Sequence, residues 1–210
     1  VKNGVKTYIT SRKSEQCNLK AEELSKFGEC ISVHTDLTDM KKMDKLVRHI
    51  EENEKKLDIL INNAGAAWGA PFDTFPENGW DKVMDTNVKA VFFLIQKLIK
   101  ILESSGDNSD PSRIINVGSI DGVGIPRAET YSYPASKAAA SLILTQWAIE
   151  KKVSLKILRL FQVFGEGEKE NRFWPSINKT AKKTRINPIN KFKVICSLSI
   201  KEPNNIAVSG

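Results

Sequence analysis

Short apolar runs alternate with longer segments of helical period from Val5 to Leu160, and that order limits the folds open to this 210-residue chain. Val5 to Thr10, Cys30 to Val33, Leu57 to Ile61, Arg113 to Val117 and Leu155 to Leu160 read as strands. Ser14 to Phe27 reads as a helix with Cys17, Ala21, Leu24 and Phe27 inward. A second helix carries Met40, Met43, Leu46, Val47 and Ile50 at spacings of three and four, behind Asp39 as a cap. A long helix from about Trp80 to Glu103 turns Val83, Met84, Asn87, Val88, Val91, Phe92 and Ile95 to one side, and another carries Tyr133 and Lys137 to about Lys152. Strands alternating with helices imply βαβ units and a parallel sheet: a Rossmann-like, doubly wound α/β fold. In such sheets ligands bind beyond the carboxyl ends of the strands, where Asn62, Asn63 and Ser119 fall.

The apolar share of 40% and charged share of 27% suit a globular domain. The longest apolar stretch, Ala90 to Leu102, is broken by Gln96, Lys97 and Lys100, so it reads as a buried helix rather than a membrane span. The start lacks the charged-then-apolar pattern of a secretory signal and has no Met, which suggests a fragment of a cytoplasmic protein. Cys17, Cys30 and Cys196 are odd in number and have no metal spacing, and His34 and His49 stand apart from them, so no metal site is expected. Residues 178–210 hold seven Lys or Arg against one acid and carry most of the net charge of +7. These charges are scattered among Asn, Ser and Thr without regular aromatic residues, so a solvated, poorly ordered tail is expected rather than a nucleic-acid or membrane surface. One domain over 1–177 and this tail make up the expected organisation.

Tyr133 stands four residues before Lys137, so a phenol and an ammonium share one helix face. A phenol titrates near about 10, and a neighbouring cation favours the phenolate. Lowering that value to around 7 takes roughly 4 kcal/mol, which a lysine and a charged nicotinamide could supply together. Ser119, on a nearby loop, could hydrogen-bond the reacting oxygen. Pro134 fits a helix start, where no donor is lost. Tyr-x-x-x-Lys alone would occur by chance in about one such chain in three, whereas Asn62-Asn63-Ala64-Gly65 would occur in under about 1%.

Asn62 to Gly65, Asn87 in Asp85-Thr86-Asn87-Val88, Ser119 in Asn116-Val-Gly-Ser119, and Tyr133 to Lys137 together resemble the short-chain dehydrogenase/reductases, in order and in spacing. The resemblance covers about residues 1–150 and is nearest to fungal members related to 3-oxoacyl reductases. It implies hydride transfer between a nicotinamide and a small carbonyl or alcohol substrate, with no nucleic acid or membrane involved. Tyr133 would be the general acid or base, Lys137 would tune it and hold the nicotinamide ribose, Ser119 would orient substrate, and Asn87 would hold a relay water. Asn62, Ala64 and Gly65 would line the cofactor, and Asp36 and Leu37 would meet the adenine. Ser11-Arg12-Lys13 follows the first strand, and an Arg there suits the 2′-phosphate of NADP(H) over NAD(H). The resemblance also implies homo-oligomers formed through the two long helices.

The family normally opens with a strand, a Thr-Gly-x-x-x-Gly-x-Gly turn and a helix, whereas this chain begins at what resembles the second strand. The strand ahead of it belongs between those at 5–10 and 57–61, which are expected to expose unpaired backbone or to close on each other. Negligible dinucleotide affinity, and hence an inactive fragment, is expected of the chain as it stands. About residues 154–177, with Gly165-Glu-Gly167 and Arg172-Phe-Trp-Pro175, resemble the extended-branch nucleotide-sugar epimerases and dehydratases, a second reading. A non-catalytic remnant or binding module is a third.

Overall fold

A computed structural model describes residues 1–124, 129–151 and 157–160. Five strands, β1 (Thr7–Ser11), β2 (Cys30–His34), β3 (Ile59–Asn62), β4 (Arg113–Ser119) and β5 (Ile157–Leu160), alternate with helices α1 (Ser14–Ser25), α2 (Met40–Asn53), α3 (Glu77–Met84), α4 (Ala90–Ser105) and α5 (Ser132–Lys151). All pairings are parallel, as βαβ connections require. β1 pairs with β2 from Thr7–Cys30 to Ser11–His34, and β4 lies between β3 and β5. Among the described residues β1 and β3 do not pair, so the strands form a two-stranded and a three-stranded sheet. The sequence order anticipates this break, since the two strands flanking it are those expected to lack a common neighbour. On β3, Ile61 is 58% exposed.

One apolar layer joins the two sheets. Met43, Leu46, Val47 and Ile50 of α2 meet Ala90, Leu94, Leu98, Ile101 and Leu102 of α4. Tyr8 and Val33 from the first sheet and Leu60 and Ile114 from the second pack on this same cluster. Each such side chain contributes about 1.5–3 kcal/mol when fully buried. The Tyr8 hydroxyl also donates to the Glu54 carboxylate at 2.6 Å, tying β1 to the end of α2. Asp39 caps α2 by accepting from the amides of Lys41 and Lys42 at 3.0 and 3.2 Å, as its position before the apolar row suggests.

Three expectations change. α1 stops at Ser25, and Phe27 lies outside it, 52% exposed, with Lys2 Nζ 4.4 Å from its ring centroid. The chain turns there through Gly28 at φ 153°, where a Cβ would come within 2.7 Å of the Val1 carbonyl oxygen. The helix expected from Trp80 starts at Glu77 behind Pro76, and a π turn over Asp85–Lys89 separates α3 from α4. Val83, Asn87 and Ile95 are buried as expected, but Phe92 is exposed and Val88 and Val91 are half-buried. α4 is apolar on several sides, and the face that meets α2 is the Ala90, Leu94, Leu98 and Ile101 row. β4 runs on to Ser119, and a 3-10 turn over Ile120–Gly122 replaces the expected open loop. The expected tail, Cys196 and the stretch from 161 to 177 lie outside the described residues.

Met43 is fully buried, so Met43→Ala should lower the unfolding free energy by about 2–5 kcal/mol in urea titrations. Phe27→Ala should cost under about 1 kcal/mol. Equal losses at the two positions would put Phe27 back in the core.

Candidate functional site

The carboxyl ends of β3 and β4 carry a buried amide pair. Asn62 donates through Nδ2 to Asn116 Oδ1 at 2.7 Å, across strands whose register sets the two residues opposite each other. The Asn116 amide nitrogen is buried without a hydrogen-bond partner among the described residues, which costs about 1–3 kcal/mol unless something accepts from it. Asn62, Ala64, Asn87, Asn116, Lys137 and Ser141 line one pocket at this strand end.

After β3 the chain crosses to α3 and α5. Gly65 packs against Asn87 and Lys137: a Cβ there would lie 3.6 Å from Asn87 Oδ1 and 3.8 Å from Lys137 Nζ. The π turn presents Asn87 to this loop, and π turns recur at functional positions because they re-aim a side chain. Asn87 Oδ1 accepts from the Ala66 amide at 2.8 Å, and its Nδ2 donates to the Ala66 carbonyl at 2.9 Å. Trp68 lies flat against Gly79 of α3, where a Cβ would meet the indole at 2.7 Å, so that glycine permits the loop's close approach. Farther on, Ala70 donates to the Glu129 carbonyl at 3.1 Å, and Tyr131 stacks edge-on against Phe72 and Phe75.

Tyr133 lies in the first turn of α5, its amide bonded to the Thr130 carbonyl at 2.9 Å. Lys137 Nζ sits 5.7 Å from the Tyr133 ring centroid, within the range of a cation–π attraction. It donates to the Val117 carbonyl of β4 at 2.9 Å. Burial pushes the Lys137 pKa down from its ordinary value, and no carboxylate pairs with it among the described residues. The 3-10 turn after β4 lies tight on the same residue: a Cβ on Gly122 would come within 3.0 Å of Lys137 Cβ. Ser119 begins this turn and accepts from the Asp121 amide at 3.2 Å.

The residues read as adenine-side contacts sit on the other sheet. Ser11 ends β1 and its Oγ accepts from the Lys13 amide at 3.2 Å. Arg12 is exposed, and a ring nitrogen of His34 lies 2.9 Å from its carbonyl oxygen. Burial works against ionisation of Asp36, but hydrogen bonds from the Thr38 hydroxyl and amide and the charges of Arg12 and Lys42 outweigh it and hold its carboxyl below the usual range. Leu37 leans partly onto the α2–α4 core. The sequence reading missed Asn116 and Ser136 as parts of the site. Asn116 faces Asn62 in register, a signal available only once the strands are paired. Ser136 sits inside the Tyr133-to-Lys137 segment and is completely buried.

Parallel strands whose carboxyl ends carry this polar cluster define a Rossmann-like α/β domain. Within that class the chain belongs to the short chain dehydrogenase family, whose model matches residues 1–155. A rhamnolipid-biosynthesis 3-oxoacyl-[acyl-carrier-protein] reductase of Pseudomonas aeruginosa is 39% identical over 136 residues, 65% of this chain and 53% of the relative. This chain thus spans about half the length of that protein. Among solved structures, a Pseudomonas aeruginosa RhlG/NADP active-site complex matches with TM-score 0.69 and 33% identity over 76% of this chain and 63% of that one. An NADH-dependent reductase, A1-R′, responsible for alginate metabolism, matches with TM-score 0.66 and 26% identity over 74% and 65%.

The Asn62–Asn116 contact can be checked without a ligand. Asn62→Ala and Asn116→Ala should each destabilise the chain, and the double variant should lose about 1 kcal/mol less than the sum of the two. Simple additivity in urea unfolding would mean that the amides do not meet.

Proposed function

We propose that this chain supplies the proton-transfer groups and the two ends of the cofactor site of an NADP(H)-dependent oxidoreductase acting on a carbonyl or alcohol. The observation that carries the reading is the grouping of Tyr133, Lys137 and Asn87 around the ends of β3 and β4. The bound nicotinamide would supply or accept the hydride. Tyr133 would give a proton to the carbonyl oxygen during reduction, or take it from the hydroxyl during oxidation. Lys137, a part-buried cation without a carboxylate partner among the described residues, fits a ribose hydroxyl and lies beside the phenol ring. Ser119 would orient the substrate oxygen, with its hydroxyl proton free to point away from the Asp121 amide it already accepts from. Asn87 gives both Nδ2 protons to Ala66 and Ser136, so any relay water it holds would donate to one of its oxygens. Asn62, Ala64 and Gly65 would border the cofactor.

Exposed Arg12 supports NADP(H) over NAD(H), because a guanidinium pairs well with a 2′-phosphate. Asp36 shares its neighbourhood and offsets part of that charge. One relative binds NADP and another is NADH-dependent by name, so the preference rests on Arg12 itself. A fitting substrate class is a 3-oxoacyl ester, by analogy with the Pseudomonas aeruginosa reductase. The exposed Phe92 of α4 and Leu142, Ile143 and Ile149 of α5 support self-association along those two helices. The sugar-nucleotide alternative rests on residues 154–177 alone, almost wholly outside the family match.

Isothermal titration of residues 1–210 with NADPH is expected to give negligible binding, because the described residues include no Gly-rich turn opening a helix beside Asn62 to receive the pyrophosphate. Micromolar affinity would overturn that expectation. With a Gly-rich strand-turn-helix supplied ahead of Val1, NADPH oxidation by a 3-oxoacyl thioester should appear and should fall at least about a hundredfold in Tyr133→Phe. Turnover unaffected by that change would rule out the phenol as the acid.

A further inference from the structure

A hydroxyl that belongs to neither the phenol nor the lysine connects them to the π turn. Ser136 is fully buried in α5, three residues after Tyr133. Its Oγ–H donates to the Tyr133 carbonyl at 2.7 Å, and its oxygen accepts from Asn87 Nδ2 at 2.9 Å.

Two details separate Ser136 from an ordinary helix serine. Farther along α5, Ser141 and Thr145 bond back to the carbonyls four residues earlier, Lys137 and Ser141, and are complete within the helix. Ser136 instead reaches back three residues and also accepts from a different element. The direction of every bond is also determined. Asn87 Oδ1 takes the Ala66 amide proton, so its carboxamide cannot flip without setting two donors face to face. Its two N–H groups then go to the Ala66 carbonyl and to Ser136. Ser136, already accepting, has one proton to give, and the Tyr133 carbonyl takes it. The chain of bonds runs from the loop after Gly65 through the π turn to the backbone of the residue bearing the phenol.

We propose that Ser136 is a positioning residue, holding the Tyr133 turn at a set distance from Asn87 and the Gly65–Ala66 loop so that the phenol meets the substrate oxygen correctly. This deepens the oxidoreductase reading and rests on it for its functional meaning. The hydroxyl touches neither substrate nor cofactor; it acts through the Tyr133 backbone.

The test uses the full chain labelled with 13Cζ-tyrosine, which reports Tyr8, Tyr131 and Tyr133, the last assigned through Tyr133→Phe. Ser136→Ala should shift the Tyr133 signal, leave that of Tyr8 in place, and speed amide exchange at Ala66 about tenfold. Ser136→Thr restores the hydroxyl and should return both readouts towards the original; if its extra methyl unfolds the chain, Ser136→Cys, with its weaker donor, should fall between Ser and Ala. In a form that turns over NADPH, kcat should drop about tenfold in Ser136→Ala with KM for NADPH within about twofold. An unmoved Tyr133 signal, or equal shifts of all three tyrosines, would overturn the positioning role. Lack of turnover in the form extended with a Gly-rich strand-turn-helix and keeping Ser136 would count against the oxidoreductase reading alone, since the labelled-tyrosine and exchange readouts need no cofactor.

Discussion

Two sheets without a shared hydrogen bond among the described residues depend on one apolar layer for their relative placement. α2 and α4 interlock through Met43, Leu46, Val47 and Ile50 against Ala90, Leu94, Leu98 and Ile101, and both sheets rest on that contact. Arg12 and Asp36 stand on the first sheet's edge, while Asn62, Ser119, Tyr133 and Lys137 gather at the second. The span between these groups is therefore set by methionine, leucine and isoleucine packing rather than by strand pairing. Close-packed interiors transmit small displacements, so a core change far from any polar group would alter the distance between these two groups of residues.

The second sheet's site is held differently. Its polar groups are bonded mostly to backbone: Asn87 to Ala66, Lys137 to the Val117 carbonyl, Ser119 to the Asp121 amide, Ser136 to the Tyr133 carbonyl. Backbone partners keep the geometry independent of neighbouring side-chain identity. They also leave Lys137 without a carboxylate partner among the described residues. The Asn116 amide nitrogen is the exception, a buried donor without a hydrogen-bond partner among the described residues.

Much of this was legible in the sequence because it rests on pattern. The three-and-four spacing of Met43 to Ile50 identified α2, Asp39 marked its start, and the order of strands anticipated where the sheet would divide. Tyr133 and Lys137 stood out by their four-residue spacing, and Asn62 and Asn87 through the motifs that resemble the family. Phe27 was misread because helical period continued past the point where Gly28 turns the chain, and apolar period alone does not mark a stop. Phe92 was misread because a helix apolar on several sides offers no unique inward face. Ser136 and Asn116 gave no periodic signal: a small polar residue looks the same in a sequence whether it faces water or joins two elements.

The π turn has a consequence for how this helix can change over time. It carries one residue more than an α-helical path would need, and it lies between a segment committed to the site and a segment committed to the core. Loss of one residue between Met84 and Ala90 would let the path close as a regular α-helix, the segments on either side keeping their faces while the turn between them changes what it presents. The straightened helix would keep Leu94 and Leu98 facing α2 but would lose the bulge that presents Asn87 to Ala66. Substitutions are thus open to this stretch in a way that length changes are not, and relatives that retain both contacts should keep the same number of residues here.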